Sequence, residues 1–272
     1  MRIRGGLAAL GSLILVLATA APAEAGLAPG LFSGSPPKGV VARDNTLTLP
    51  HATPKGIVLV IHGGSWFLTG PRSLAAESDN VAWFTRLGWA AYAVDYRPGW
   101  LSVVDVVAAY DHLRSLYPTA PMCAYGESAG GQLAMLLAAS RSSLECVVSA
   151  GGITDLRDIP SSDPLRDLAL HVFHRRLWEF SPARLASDIH GSLLCAGSSF
   201  DRIVPEREQL AAIKSARPQT SVMLLPGAPT PGGPSFSHPP NFVHASITPA
   251  ARRRFRKAVA DVLVTAAAPK EP

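Results

Sequence analysis

Short apolar runs and helical spacings take turns along this chain. Runs at 56–61, 89–94, 121–125, 145–150, 192–197 and 221–225 are continuous, rich in Val, Ile, Leu and Ala, and bounded by turn residues. Such runs read as strands covered on both faces. Between them the apolar positions shift to helical spacing, as at Val103, Val106, Val107, Tyr110, Leu113 and Leu116, closed by Pro118. Further helices are expected over 78–87, 132–139 and 205–216, and a last one where Thr248 precedes Pro249 at the first helical position. The alternating stretch 45–50 reads as an edge strand. Strands alternating with helices predict an α/β fold: a mostly parallel sheet with helices on both faces. No internal repeat and no second domain is visible.

Three stretches break the rhythm. Residues 26–44 are rich in Gly, Pro and Ser and read as an irregular arm, and 226–247 as a long loop. Residues 153–189 carry Asp155, Asp158, Pro160, Asp163, Pro164, His171, His174 and Trp178 but no clean strand, so they read as a short helical cap. His171 and His174 lie three apart on an expected helix, which is too few ligands for a metal site.

The N-terminus changes the picture of the chain's destination. Arg2 and Arg4 precede an apolar stretch at 7–20, followed by small residues at Ala23 and Ala25. This is the pattern of a secretory signal peptide over 1–25, cut after Ala25, and it is shorter than the ~20 apolar residues of a membrane span. Residues 26–272 then form a single domain, expected to be exported without stable membrane insertion. Of the 272 residues, 47% are hydrophobic and 17% charged, enough for one substantial core. The net charge is +5, part of it in the Arg252–Lys257 run. That run sits on an amphipathic helix and reads as a solvated face. No nucleic-acid-binding motif accompanies it. Cys123, Cys146 and Cys195 each fall in an apolar run, so three buried thiols are expected, with a Cys123–Cys146 bridge between neighbouring strands as the less favoured alternative.

The candidate chemistry centres on Gly126-Glu127-Ser128-Ala129-Gly130, placed between an expected strand and an expected helix. A serine at such a sharp turn stands clear of the backbone, and the N–H of Ala129 faces whatever oxygen it attacks. A serine hydroxyl also needs an imidazole to take its proton, a carboxylate to orient that ring and N–H donors for the oxyanion. In an open α/β sheet these gather beyond the C-terminal ends of the strands. Asp201 follows the 192–197 strand and precedes a helix, which makes it the candidate acid. His238 and His244 both lie between the last strand and the last helix. His244 is the preferred base because it sits close before the helix capped by Thr248, and His238 is the alternative.

The order Ser128, Asp201, His244 resembles that of the α/β-hydrolase superfamily over essentially the whole of 26–272. Within it, His62-Gly63-Gly64-Ser65-Trp66, Asp95-Tyr96-Arg97, Gly126-Glu127-Ser128-Ala129-Gly130-Gly131 and Ser181-Pro182-Ala183 resemble motifs of hormone-sensitive-lipase-like and feruloyl- or acetyl-esterase-like carboxylesterases. The resemblance implies an α/β-hydrolase fold with a short cap, an oxyanion hole from Gly64, Ser65 and Ala129, and a structural role for His62. Ser65 departs from the third glycine of that pattern, and the histidine loop lacks the usual Gly-His or Asp-His. The expected activity is hydrolysis of small or soluble esters, with Trp66 narrowing the acyl side and no cofactor or metal. A peptidase or amidase, an acyltransferase and a non-catalytic binding protein on the same fold are the other readings.

Overall fold

The computed structural model describes residues 45–201, 203–228 and 245–268. The expected signal peptide, His238 and His244 lie outside the described residues. Seven strands form one sheet: β1 (Thr46–Thr48), β2 (Ile57–Ile61), β3 (Ala90–Val94), β4 (Met122–Glu127), β5 (Cys146–Ala150), β6 (Ser192–Ser198) and β7 (Ser221–Leu225). Their order across the sheet is β1-β3-β2-β4-β5-β6-β7, with β1 antiparallel to β3 and every other pairing parallel. Most of the runs that read as doubly covered strands are so: every residue of β2, β3, β4 and β5 and all of β6 but Ser192 are buried, whereas β7, at the end of the sheet, is buried only at Leu225.

Among the described residues, seven α-helices accompany the sheet: α1 (Pro71–Ala76), α2 (Ser78–Arg86), α3 (Leu101–Leu116), α4 (Ala129–Ser140), α5 (Pro164–Val172), α6 (Glu206–Ala216) and α7 (Pro249–Ala266). One face of the sheet, with Val58, Val60, Tyr125, Val148 and Leu194, packs against Trp83 and Phe84 of α2 and Phe255, Val259 and Leu263 of α7. On the other face lies α4, apolar on all sides and buried from Ala129 to Ala138, as befits a helix between sheet and neighbours. Thr248 caps α7 as expected, its hydroxyl accepting the N–H of Ala251.

Three features differ from the expectation. Helix α1 was not legible: it is six residues long and buries none of them, so no apolar period marks it. The loop after β7 holds a small antiparallel ladder of β8 (Gly227–Ala228) and β9 (Ser246–Ile247). And two of the three cysteines are not free thiols. Cys123 and Cys146 face each other in the β4–β5 register and are joined as a disulfide, which leaves Cys195 as the free, buried cysteine.

Between β5 and β6, residues 153–189 contain α5 and two short 3-10 helices, Leu156–Asp158 and Pro182–Asp188, and no strand. The segment closes on its own start: the Ala183 N–H donates to the Thr154 carbonyl, and the Ser181 hydroxyl accepts the Leu156 N–H. Among the described residues, no helix is long and apolar enough to cross a membrane.

Candidate active site

The chain leaves β2, fills β3 on one side and returns to fill β4 on the other. The strand order therefore switches at β2 and β4, and their C-terminal ends flank the crevice where α/β sheets bind ligands. Both candidate motifs sit at that point.

Ser128 links β4 to α4 with φ 53° and ψ −120°, a conformation that costs a non-glycine residue of order 1–3 kcal/mol. The surroundings enforce it. The Ser128 N–H donates to the Ala150 carbonyl, and its own carbonyl accepts from Gly131 and Gln132 in the first turn of α4. A Cβ at Gly126 would lie 2.1 Å from the Gly130 carbonyl oxygen, and one at Gly130 would lie 2.1 Å from that of Ile61. Helix α4 thus starts in backbone contact with β2, which only glycine allows.

The turn after β2 lies against this elbow. A Cβ at Gly63 would meet the Glu127 carbonyl at 3.0 Å and the Ser128 side chain at 3.3 Å. Gly64, Ser65 and Trp66 all have positive φ, at 115°, 51° and 64°. Phe67 and Leu68 donate their N–H groups to the Gly64 carbonyl. Among the described residues, the N–H groups of Gly64, Ser65 and Ala129 have no acceptor. The N-terminus of the twelve-residue α4, at Ala129, adds its dipole next to Ser128.

His62 braces the turn. Its ring stacks on Tyr96 at 4.1 Å and contacts the Gly63 carbonyl at 2.7 Å and Asp95 at 3.3 Å. Burial lowers its pKa, opposed by the Gly63 and Asp95 contacts. Tyr96 donates to the carbonyls of His62 and Gly63. Arg97 forks onto Asp105 of α3. The Asp95-Tyr96-Arg97 motif therefore fastens the turn to the sheet and to α3.

Asp201 stands just past β6. Its Oδ1 accepts the N–H groups of Ile203 and Val204, both at 2.9 Å, while its Oδ2 faces the open side of Gly151 at the end of β5. The residues that bracket the two candidate histidines lie close to it in the fold. Gly227 of β8 donates to the Ser199 hydroxyl, and a Cβ there would touch Ser198 and Phe200. β9 pairs with β8, so the chain re-enters the described structure beside the same segment.

Trp66 is fully buried, its indole N–H donating to Gln132 at 2.6 Å. Gln132 in turn donates to the Phe180 carbonyl, Phe173 meets the indole edge-on at 5.1 Å, and Phe180 stacks on Phe173 at 4.7 Å. Sequence reasoning missed Gln132, Phe173 and Phe180, although a lone Gln inside an apolar helix was a visible signal. It also missed Glu206, at the start of α6. That carboxyl is buried against Gly197 and Gly151, neither oxygen has a partner among the described residues, and burial, then the charge of Asp201, raise its pKa well above the usual range. Among the described residues, no cluster of three or more His, Cys, Asp or Glu side chains forms a metal site.

No protein-family model and no curated protein sequence matches the chain. Solved structures do. Esterase B from Lactobacillus rhamnosis, solved with a tributyrin phosphonate, aligns with a TM-score of 0.64 at 18% identity, over 82% of this chain and 81% of that one. Thermogutta terrifontis esterase 2 phosphonylated by sarin aligns at 0.62 and 19% identity, over 83% and 91%. A puromycin-hydrolysing peptidase of Mycobacterium tuberculosis aligns at 0.61 and 18% identity, over 81% of this chain and 37% of that one. The fold is that of the α/β-hydrolases.

Proposed function

We propose that the protein is an exported serine carboxylester hydrolase that works through an acyl-enzyme on small or soluble esters. The observation that carries this is the strained Ser128 elbow packed against the Gly63–Trp66 turn, with Asp201 two strands away at the C-terminal ends of the same sheet. In this reading Ser128 attacks the ester carbonyl while His244 takes its proton. The oxyanion settles on the N–H groups of Gly64, Ser65 and Ala129. His244 then protonates the leaving alcohol, with its ring oriented by Asp201, and water releases the acid by the same steps in reverse. His238 is the alternative base.

That two of the aligned structures are esterases supports ester substrates. The aligned peptidase matches over little more than a third of its own length, which favours it less. An acyltransferase would use the same residues, and adding alcohol acceptors to the assay separates the two by product. The Trp66–Phe173–Phe180 packing fills the space beside the oxyanion turn, which supports short acyl groups. The Cys123–Cys146 bond supports export, because disulfides persist in oxidising compartments. Protein recovered from the medium should begin at Gly26.

The test is covalent capture. Incubation with a p-nitrophenyl alkylphosphonate should release one equivalent of nitrophenol and add one phosphonyl group to the Ser128 peptide by mass spectrometry. Labelling elsewhere, or labelling that survives in Ser128→Ala, would refute the proposal. p-Nitrophenyl esters should be hydrolysed best at acetate to butyrate, and a peak at long chains would contradict the short-acyl reading.

A further inference from the structure

Behind the elbow lies a buried polar cluster that the reaction as described does not use. Glu127, the residue before Ser128, points to the α2 face of the sheet, where its Oε1 accepts from the Tyr125 hydroxyl and from Asn80 Nδ2 at 2.9 Å. The same Asn80 nitrogen donates to Oε2 of Glu77 at 2.7 Å. Glu77, Asn80 and Glu127 are 4%, 1% and 2% exposed. One amide N–H2 group therefore bridges two buried carboxyls, one on the α1–α2 junction and one on the nucleophile strand.

Two ionised carboxylates cannot share such a place cheaply, since an unpaired buried charge costs several kcal/mol. Among the described residues no cation pairs with Glu77. Asn80 adds an independent sign. Its Oδ1 is buried and has no donor among the described residues. A proton on Glu77 removes one charge, and it adds an O–H donor to a residue already bonded to Asn80, whose Oδ1 lacks one. Glu127 already receives two donors, as a carboxylate should, so the proton belongs on Glu77.

We propose that Glu77 is a neutral carboxylic acid in the working enzyme and a positioning residue for the reaction, holding the Ser128 elbow through Asn80 and Glu127. Burial and then the charge of Glu127 raise its pKa well above the usual range, in agreement. The other ionisable groups around it are Tyr125, Asp95 and Tyr96, with Arg256 of α7 over the neighbouring Trp83 ring at 5.7 Å. Tyr96, whose own ionisation is suppressed by burial and by Glu77 and Asp95, holds the carbonyls of His62 and Gly63. The elbow thus rests on this cluster through Glu127. Loss of the Glu77 proton to solvent base puts a second negative charge behind the oxyanion hole and opens the bridge to the elbow. The inference rests on the esterase reading for its kinetic half only.

The test compares wild type with Glu77→Gln, which keeps the shape and the hydrogen bonds without the acid. kcat for p-nitrophenyl acetate and the melting temperature are followed from pH 6 to pH 10.5, with infrared spectra at pH 7. Wild type should show an alkaline limb, falling to about a tenth of its plateau one unit above the midpoint, that Glu77→Gln lacks. Glu77→Gln should melt no lower than wild type at pH 7, and its infrared spectrum should lack one protonated-carboxyl band. An unchanged alkaline limb in the variant overturns the positioning role. An undiminished carboxyl band, or a large loss of stability at pH 7 that Glu77→Asp restores, overturns the neutral acid. If wild type proves inactive on esters, the esterase reading fails, and the melting and infrared measurements still decide the state of Glu77.

Discussion

At the scale of single residues, the site is governed by how little space it leaves. Gly130 lets α4 start in contact with the carbonyls of Ile61 and His62, at 2.1 and 2.5 Å from where a Cβ would sit. Gly130→Ala should therefore push the helix off β2, cost about 1–3 kcal/mol in urea unfolding, and remove esterase activity along with the elbow's geometry. Asp201 offers a cleaner test, because its Oδ1 is held by two backbone N–H groups. Asp201→Asn should fold and lose on the order of 10⁴-fold in kcat, the loss expected when the ring's orienting carboxylate becomes an amide. Glu206 bears on stability. Its pKa is raised in the fold, so its contribution is complete below the ordinary carboxylate value and drains away as pH climbs towards the raised one. Glu206→Gln should flatten the melting temperature between pH 5 and 8 and lift it at pH 7. A fall at pH 7 would show that the carboxylate is ionised and paired.

Elements were legible in the sequence where burial on both faces forced a continuous apolar run, and illegible where it did not. β2 reads directly from Ile57-Val58-Leu59-Val60-Ile61, whereas α1 buries nothing and leaves no period. The disulfide was legible only as the less favoured alternative, for a different reason. Cys123 and Cys146 become partners only once β4 and β5 are neighbours in parallel register, which periodicity does not state. The bond closes a loop of 23 residues, so Cys123→Ala/Cys146→Ala should be less stable by about 3 kcal/mol in urea unfolding. The wall beside the oxyanion turn is likewise a product of packing. Phe173 and Phe180 come from a segment with no strand pattern, and they find Trp66 only after that segment folds back through Gln132. Phe173→Ala should shift preference from acetate towards longer p-nitrophenyl esters, while an unchanged chain-length profile would mean that the acyl group lies elsewhere.

Across the whole molecule, the C-terminal ends of the strands collect parts that are far apart in the chain: the turn after β2, Ser128 after β4 and Asp201 after β6. The motifs of those turns were readable because each follows an apolar run and breaks it with Gly or Asp. The buried carboxyls behind them were not, since Glu77, Glu127 and Glu206 look in sequence like ordinary surface acids. The proposed base, His244, lies outside the described residues and rests on chain order alone. The most direct measurement is therefore kcat/KM for p-nitrophenyl acetate with wild type, Ser128→Ala, His238→Ala and His244→Ala, each checked for folding. Losses of at least about 10³-fold are expected for Ser128→Ala and His244→Ala, with His238→Ala close to wild type. A large loss for His238→Ala alone would move the base, and a Ser128→Ala enzyme as active as wild type would contradict the central claim.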